Sequence, residues 1–167
     1  RMIDSMLFLA RTEQPNACIT FEHISLHHLI EQLCEYFEGV AQERDVRLIN
    51  QTQDQLLGDP GLIRRALANL LANALRYAIP GSAVTVSSEI SEDRLEITVH
   101  NHGEPIAAEH LPRLFERFYR CDPSRNQPDD SGGLGLAIVR SIMQLHGGCV
   151  TVDSTEAGTS FHLEFPL

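Results

Sequence analysis

The chain has 167 residues, 43% hydrophobic and 22% charged, enough for one domain with its own core. Its formal charge of −10 argues against non-specific nucleic-acid binding, and no apolar run approaches the ~18 residues that a membrane span needs. All thirteen basic residues are arginine, which excludes a catalytic lysine or a Schiff base.

Residues 1 to about 13 read as the tail of an amphipathic helix, with Met2, Met6 and Leu9 on one face and Gln14-Pro15-Asn16 as its breaker. The chain opens inside this helix without a signal-peptide pattern, so a fragment is expected. Cys18 to His23 predicts a short strand. Ser25 caps a helix whose Leu26, Leu29, Ile30, Leu33, Phe37, Val40 and Ala41 form a helical stripe. Val46 to Gln51 predicts a strand, and Leu56-Leu57 a further short one. Asp59 caps, and Pro60 opens, a helix running to about Ala78. Its Ile63, Ala66, Leu67, Leu70, Leu71, Ala74 and Ala78 recur at helical spacing. At about 100° per residue, Asn69, Asn73 and Arg76 fall within roughly 60° of each other, with Tyr77 beside them. Amides are poor residues for a helix interior. Two of them one turn apart suit either a solvated polar edge or oxygen ligands for a hard cation, with an arginine for phosphate.

Pro80-Gly81 is a turn, and Val84/Val86/Ile90 and Leu95/Ile97/Val99 fit adjacent strands joined near Ser91-Glu92-Asp93. In the second strand Arg94, Glu96, Thr98 and His100 alternate with the apolar positions, so one face is covered and the other wet. Residues 107 to 131 are rich in charge and turn formers, a length that in a compact domain marks a functional or mobile loop. Cys121 to Asp130 is expected to be its most mobile part. Leu134 to His146 predicts a helix ended by Gly147-Gly148, and two strands around Gly158 close the chain. Together these elements predict a two-layer α/β sandwich, a mixed sheet of about five strands on about three helices.

Gly133-Leu134-Gly135 opens the last helix, where backbone N–H groups and the positive helix end favour phosphate, although glycines also simply start helices. The spacing is not that of a P-loop, which also requires a lysine. Phe115, Phe118 and Tyr119 sit in an otherwise charged loop and suit either a core plug or a lid anchor. The four cysteines show no paired spacing and are read as reduced thiols. Of the close histidine pairs, His27 and His28 diverge on a helix, whereas His100 and His102 share a strand face with no thiol nearby.

The polar helix, then His100-Asn101-His102-Gly103-Glu104-Pro105-Ile106, then Ser131-Gly132-Gly133-Leu134-Gly135-Leu136-Ala137, resembles in order the ATP-binding domain of histidine kinases, the Bergerat fold. The strings 1–10, Glu109-His-Leu-Pro-Arg-Leu-Phe115-Glu-Arg-Phe118-Tyr-Arg120 and Asp122-Pro-Ser-Arg125 are similar to its heavy-metal branch, the copper/silver and cobalt/zinc/cadmium sensors. This resemblance covers nearly the whole chain. It implies that residues 1–14 end a dimerising, phospho-acceptor helical hairpin and that 15–167 form the ATP-binding domain, with a lid over about 107–132.

The same resemblance implies ATP and Mg2+ as cofactors, with Asn73 as the metal ligand and Asn69 supporting the metal's waters or a phosphate. Arg76 stands where the family often has Lys. Tyr77 is expected against the adenine, and Asn101 takes the place of an Asp that accepts from the adenine 6-amino group. Gly103, Pro105, Ile106, Phe118, Gly133, Leu134, Gly135, Leu136 and Thr159 complete the implied nucleotide site. Two departures stand out, Pro105 for the second glycine of its motif and Ser131 for the first glycine of the helix-start motif. Arg117, Arg120 and Arg125 are lid cations that could reach phosphates or a partner. The family's acceptor histidine lies in an H-E/D-x-x-T/N/S-P pattern that none of the eight histidines matches, so no residue of this chain is expected to accept the phosphoryl group. The implied partners are the chain's own dimerisation domain and a response regulator, with no nucleic acid and no direct membrane contact. The implied place is the cytoplasmic side of a bacterial inner-membrane protein whose metal is sensed by a separate extracytoplasmic domain. Two alternatives stay open. One is an ATPase of the chaperone, mismatch-repair or gyrase kind, which needs a hydrolytic Glu where this helix has residues 65–69 without a carboxylate. The other is a degenerate docking module.

Overall fold

Hydrophobic alternation and helix caps decide where the elements lie. In chain order they are α1 (Met2–Thr12), β1 (Glu22–Ser25), α2 (Leu26–Glu43), β2 (Arg47–Gln51), β3 (Gln55–Gly58), α3 (Pro60–Tyr77), β4 (Ala83–Ser91), β5 (Arg94–Asn101), a 3-10 turn (Leu111–Arg113), α4 (Gly135–Leu145), β6 (Cys149–Thr155) and β7 (Gly158–Pro166). The computed structural model describes residues 2–15, 17–121 and 133–167. The string 122–125, Arg125, Ser131, Gly132 and the stretch expected to be mobile beyond Cys121 lie outside the described residues. Ser25 accepts from the His28 N–H to start α2, and Asp59 Oδ1 accepts from the Leu62 N–H at 3.1 Å to start α3.

Five strands form one mixed sheet in the order β2-β4-β5-β7-β6, parallel between β2 and β4 and antiparallel elsewhere. α2, α3 and α4 pack on one face of this sheet, as the predicted two-layer sandwich requires, and α1 packs on α4. The register stacks the inner-face residues in rows. Val86, Val99, Phe161 and Val152 align across four strands, and Ile97, Leu163 and Val150 align in the next row. Leu67, Leu70, Leu71, Ile138 and Ile142 close over them, all at most 1% exposed.

Two sequence expectations are corrected. The first strand is not Cys18–His23 but Glu22–Ser25, which pairs antiparallel with β3 in a separate two-stranded sheet. Its position is set by the backbone of β3, Ile24 facing Leu56, and not by the Cys18 to Phe21 alternation. On α1 the covered face is Ser5 and Leu9, while Met2 and Met6 are exposed. The reason is that α1 is seated on α4, where Thr12 Oγ1 lies 2.6 Å from Ser141 Oγ.

His146 ties the end of α4 to the start of α3. It is 7% exposed, with its ring edge-to-face with Phe21 and Phe165. Its Nδ1 lies 2.8 Å from the Ile142 carbonyl oxygen, which can only accept, and its Nε2 lies 3.1 Å from the Asp59 amide, which can only donate. The neutral Nδ1–H tautomer alone satisfies both. On the outer face, Nδ1 of His100 lies 2.8 Å from Ser160 Oγ, and the His102 ring meets that of His100 edge-to-face at 5.0 Å between centroids. Burial first, then the neighbouring His102, hold the His100 imidazole below its ordinary range.

Replacing His146 by Ala leaves the Asp59 amide and the Ile142 carbonyl without their side-chain partner and opens a gap between two phenylalanines. The expected loss is roughly 2 kcal/mol of unfolding free energy in urea titration. For His100, the unfolded chain keeps an imidazole value of about 6.5 and the folded chain a lower one, so below about pH 6.5 the unfolded state binds more protons. That contribution is complete at neutral pH and is lost as pH falls through the folded value. The urea midpoint of the parent is expected to drop more steeply between about pH 7 and pH 5 than that of His100→Asn. Equal slopes would remove His100 as the cause.

Candidate functional site

The inner face of the sheet changes character at one end. There the row reads Leu48, Val84, Asn101, Thr159 and Ser154 across β2, β4, β5, β7 and β6. Strand period fixes this. Asn101 continues the buried series Leu95, Ile97 and Val99, and Ser154 continues Val150 and Val152. Three polar side chains therefore stand where the core would otherwise go on. Asn101 is 4% and Thr159 5% exposed. Ser154 Oγ accepts from the Ile106 N–H at 2.8 Å and lies 2.7 Å from Thr159 Oγ1. The Asn101 amide makes no hydrogen bond to any described residue, although among the described residues no fully buried polar side-chain atom lacks a partner, so its amide reaches an opening.

The loop after β5 folds over this row. Its Gly103 lies so near the end of α3 that a Cβ there would sit 2.5 Å from the Tyr77 carbonyl oxygen and 3.1 Å from Asn101 Nδ2. The Ile79 N–H donates to the His102 carbonyl at 2.8 Å, which locks the exit of α3 to the strand end. Tyr77 itself is exposed on the rim, Pro105 is exposed in the loop, and Ile106 packs partly buried against the core.

The second group of expected residues lies along α3 and the start of α4. Asn69 Nδ2 donates to the Gly135 carbonyl at 3.2 Å, which holds the helix start against the polar edge of α3. The Asn69 Oδ1 and the whole Asn73 amide, one turn on, have no hydrogen-bond partner among the described residues. Arg76 is half-buried on the last turn, where its carbonyl accepts from Arg44. Leu134 is fully buried, and Leu136 packs partly against the core. The N-cap residue of α4, Leu134, makes no side-chain cap hydrogen bond, unlike Ser25 of α2 and Asp59 of α3, so among the described residues no cap side chain takes the first N–H groups.

The aromatic loop residues divide. Phe115 is a core plug, edge-to-face with Phe161 at 6.1 Å. Phe118 is exposed, with φ of 65°, and its N–H donates to the Gly133 carbonyl at 3.1 Å. Gly133 has φ of 83°, and a Cβ there would lie 3.0 Å from Phe118 Cα. Tyr119 hydrogen-bonds His110 and lies under the Arg113 guanidinium at 4.5 Å. Arg117 pairs with Glu13 beyond the end of α1, which spends one expected lid cation on the N-terminal segment. Among the described residues no group of three or more His, Cys, Asp or Glu side chains is placed to hold a metal ion. Burial raises the thiol pKa values of Cys34, Cys121 and Cys149, so these thiols stay protonated.

α3 thus carries Asn69, Asn73, Arg76 and Tyr77, meets the helix start at Gly135 and meets the loop after β5 at Gly103. Ser154 was missed by sequence reasoning, although the alternation Val150-x-Val152-x-Ser154 and the turn to Thr159 point to it.

These features match known proteins. Residues 58–167 match the family described as histidine kinase-, DNA gyrase B-, and HSP90-like ATPase. The sensor histidine kinase CusS of Escherichia coli O157:H7 is 42% identical over 167 residues, 99% of this chain and 35% of that protein. The probable sensor kinase SilS of Salmonella typhimurium is 50% identical over 173 residues, 99% of this chain and 34% of that protein. The crystal structure of full-length ShkA in complex with AMPPNP superposes with a TM-score of 0.87 at 25% identity, covering 99% of this chain and 35% of that one. The chain spans about a third of the length of the curated relatives it matches. With the family match over most of the chain and the mixed sheet under three helices, this chain belongs to the histidine kinase-, DNA gyrase B- and HSP90-like ATPase family.

Proposed function

We propose that this chain is the catalytic domain of a two-component sensor histidine kinase, which binds ATP and transfers its γ-phosphoryl group to a histidine on a companion domain. The observation that carries this is the Asn69–Gly135 hydrogen bond. It holds the Asn69 amide, one turn before Asn73 on α3, against the start of α4, where the N-cap residue makes no side-chain cap hydrogen bond. Neutral oxygens beside bare backbone N–H groups suit a triphosphate with a hard cation and do not suit a carbonyl or thiol substrate. Mg2+ bound with the triphosphate supplies charge neutralisation and a template for the phosphate oxygens.

On this reading Asn73 would hold Mg2+, and Asn69 would support the metal's waters or a phosphate. Arg76 holds phosphate oxygens through its permanently charged fork. The polar row takes the base. The Asn101 amide oxygen accepts from the adenine 6-amino group, and Thr159 donates to a ring nitrogen. Gly103, Pro105 and Ile106 form the loop over the base with Tyr77 at its rim. Gly133, Leu134, Gly135 and Leu136 form the phosphate-side helix start, and Phe118 caps the opening. The bond from the bridging oxygen to the γ-phosphorus breaks, a bond from the imidazole nitrogen to that phosphorus forms, and ADP leaves. The chain positions and neutralises and supplies no nucleophile. The acceptor histidine and the base that takes its proton sit on the companion domain, which α1 ends, and a response regulator receives the phosphoryl group next. The likeness of the 1–10, 109–120 and 122–125 strings to heavy-metal sensors supports a metal-ion signal and a membrane-anchored whole protein, and the identity to CusS and SilS supports a sensor kinase. No helix among the described residues is long and apolar enough to cross a membrane.

Calorimetry on Asn73→Ala is expected to show Mg-ATP binding weakened at least tenfold, with metal-free nucleotide binding falling less. Mg-ATP affinity equal to the parent's would remove Asn73 from the metal site. In a radiolabel assay, the chain alone is expected to gain no acid-labile phosphate from ATP. Addition of a separate helical hairpin bearing the acceptor histidine is expected to restore it. Acid-labile label on the isolated chain would contradict the assignment.

A further inference from the structure

We infer that Ser154 is a positioning residue for the base of the nucleotide, acting through Thr159 and through the loop over the site. This rests on the nucleotide reading above and adds to it a residue outside the expected set. Ser154 sits at the inner-face end of β6, in register with Thr159 of β7, which is itself in register with Asn101 of β5. The Ile106 amide can only donate, so the 2.8 Å contact makes Ser154 Oγ an acceptor there. The hydroxyl keeps one hydrogen of its own. Thr159 Oγ1, at 2.7 Å, is the one other hydrogen-bond partner that the described residues give it.

Donation from Ser154 to Thr159 satisfies both ends of the chain from the Ile106 N–H. It also leaves the Thr159 hydrogen unused, on a side chain 5% exposed and beside the unpartnered amide of Asn101. A buried donor next to a buried acceptor matches the edge of adenine that offers an amino hydrogen beside a ring-nitrogen lone pair. Guanine presents a carbonyl oxygen and an N–H at those places, the opposite order. The hydrogen bond from Ser154 thus sets the polarity of Thr159, and its bond from Ile106 sets where the loop 102–106 lies over the base. The expected ligand class is an adenine nucleotide, and Ser154 biases Thr159 toward it without touching the base.

Calorimetric titration of the chain with Mg-ATP and Mg-GTP tests this. In Ser154→Ala, Mg-ATP affinity is expected to fall about tenfold, the weight of one buried hydrogen bond, while Mg-GTP affinity falls less, so the ATP-to-GTP ratio narrows. Ser154→Thr keeps the hydroxyl and is expected to restore the ratio. Should Ser154→Ala fail to fold, Ser154→Cys keeps the volume, weakens both hydrogen bonds and is expected to narrow the ratio in the same way. A parent that binds ATP, with a Ser154→Ala ratio within twofold of it, overturns the inference and leaves the nucleotide reading standing. Equal losses for ATP and GTP also overturn it, because packing alone would then explain Ser154. A parent that binds neither nucleotide overturns the nucleotide reading, and this inference with it.

Discussion

Helix α3 has to be core and site at once, and the rest of the structure depends on that. It buries Ile63, Ala66, Leu67, Leu70, Leu71, Ala74 and Leu75, and the same turns carry Asn69, Asn73 and Arg76. At 3.6 residues per turn the two sets cannot move independently. A rotation that took the amides away from α4 would expose several leucines, each worth about 1.5–3 kcal/mol when buried. Burial therefore aims the polar edge. The ends of the helix are fixed separately, by Asp59 and His146 at the start and by the Ile79–His102 hydrogen bond and the Gly103 contact at the exit. A missing Cβ at position 103 is what lets the strand end come this close.

The polar row at the end of the sheet follows a different economy. Replacing core side chains by Asn101, Thr159 and Ser154 gives up apolar burial and places polar atoms where water is scarce. The cost is contained because Ser154 accepts from the Ile106 amide and shares a hydrogen bond with Thr159. The row Leu48, Val84, Asn101, Thr159, Ser154 contains no charged residue. A carboxylate at position 101 would bring a charge into this row, whereas the amide brings none and accepts a weaker hydrogen bond in exchange.

Much of this was legible because it is periodic. Asp59 as cap, the stripe of α3, the alternation of β5 and the glycines that end α4 all lie within a few residues of their consequences. The Asn helix and the Gly-bearing stretches also carried the family likeness. What stayed hidden depends on partners far along the chain. The first strand slid to Glu22–Ser25 because β3 claims it, and the covered face of α1 turned to Ser5 and Leu9 because α4 lies there. Phe115 and Phe118, alike in sequence, parted because only Phe115 reaches Phe161. His146 looked like a helix terminus, and its hydrogen bond to the Asp59 amide spans 87 positions that no local pattern encodes.

The start of α4 shows how such conflicts are settled. Leu134 occupies the cap position, among the poorest residue types there, and makes no side-chain cap hydrogen bond. Losing a good cap costs about 1 kcal/mol, whereas the fully buried Leu134 side chain contributes about 1.5–3 kcal/mol. Packing outweighs capping, so the helix starts here despite its open donors. Those donors then lie next to the Asn69 amide, which donates to the Gly135 carbonyl. A serine or aspartate at position 134 would stabilise the helix end by occupying the same N–H groups that an anion needs. A helix start kept in place by a buried leucine rather than by a polar cap is held firmly and still has its backbone donors to offer.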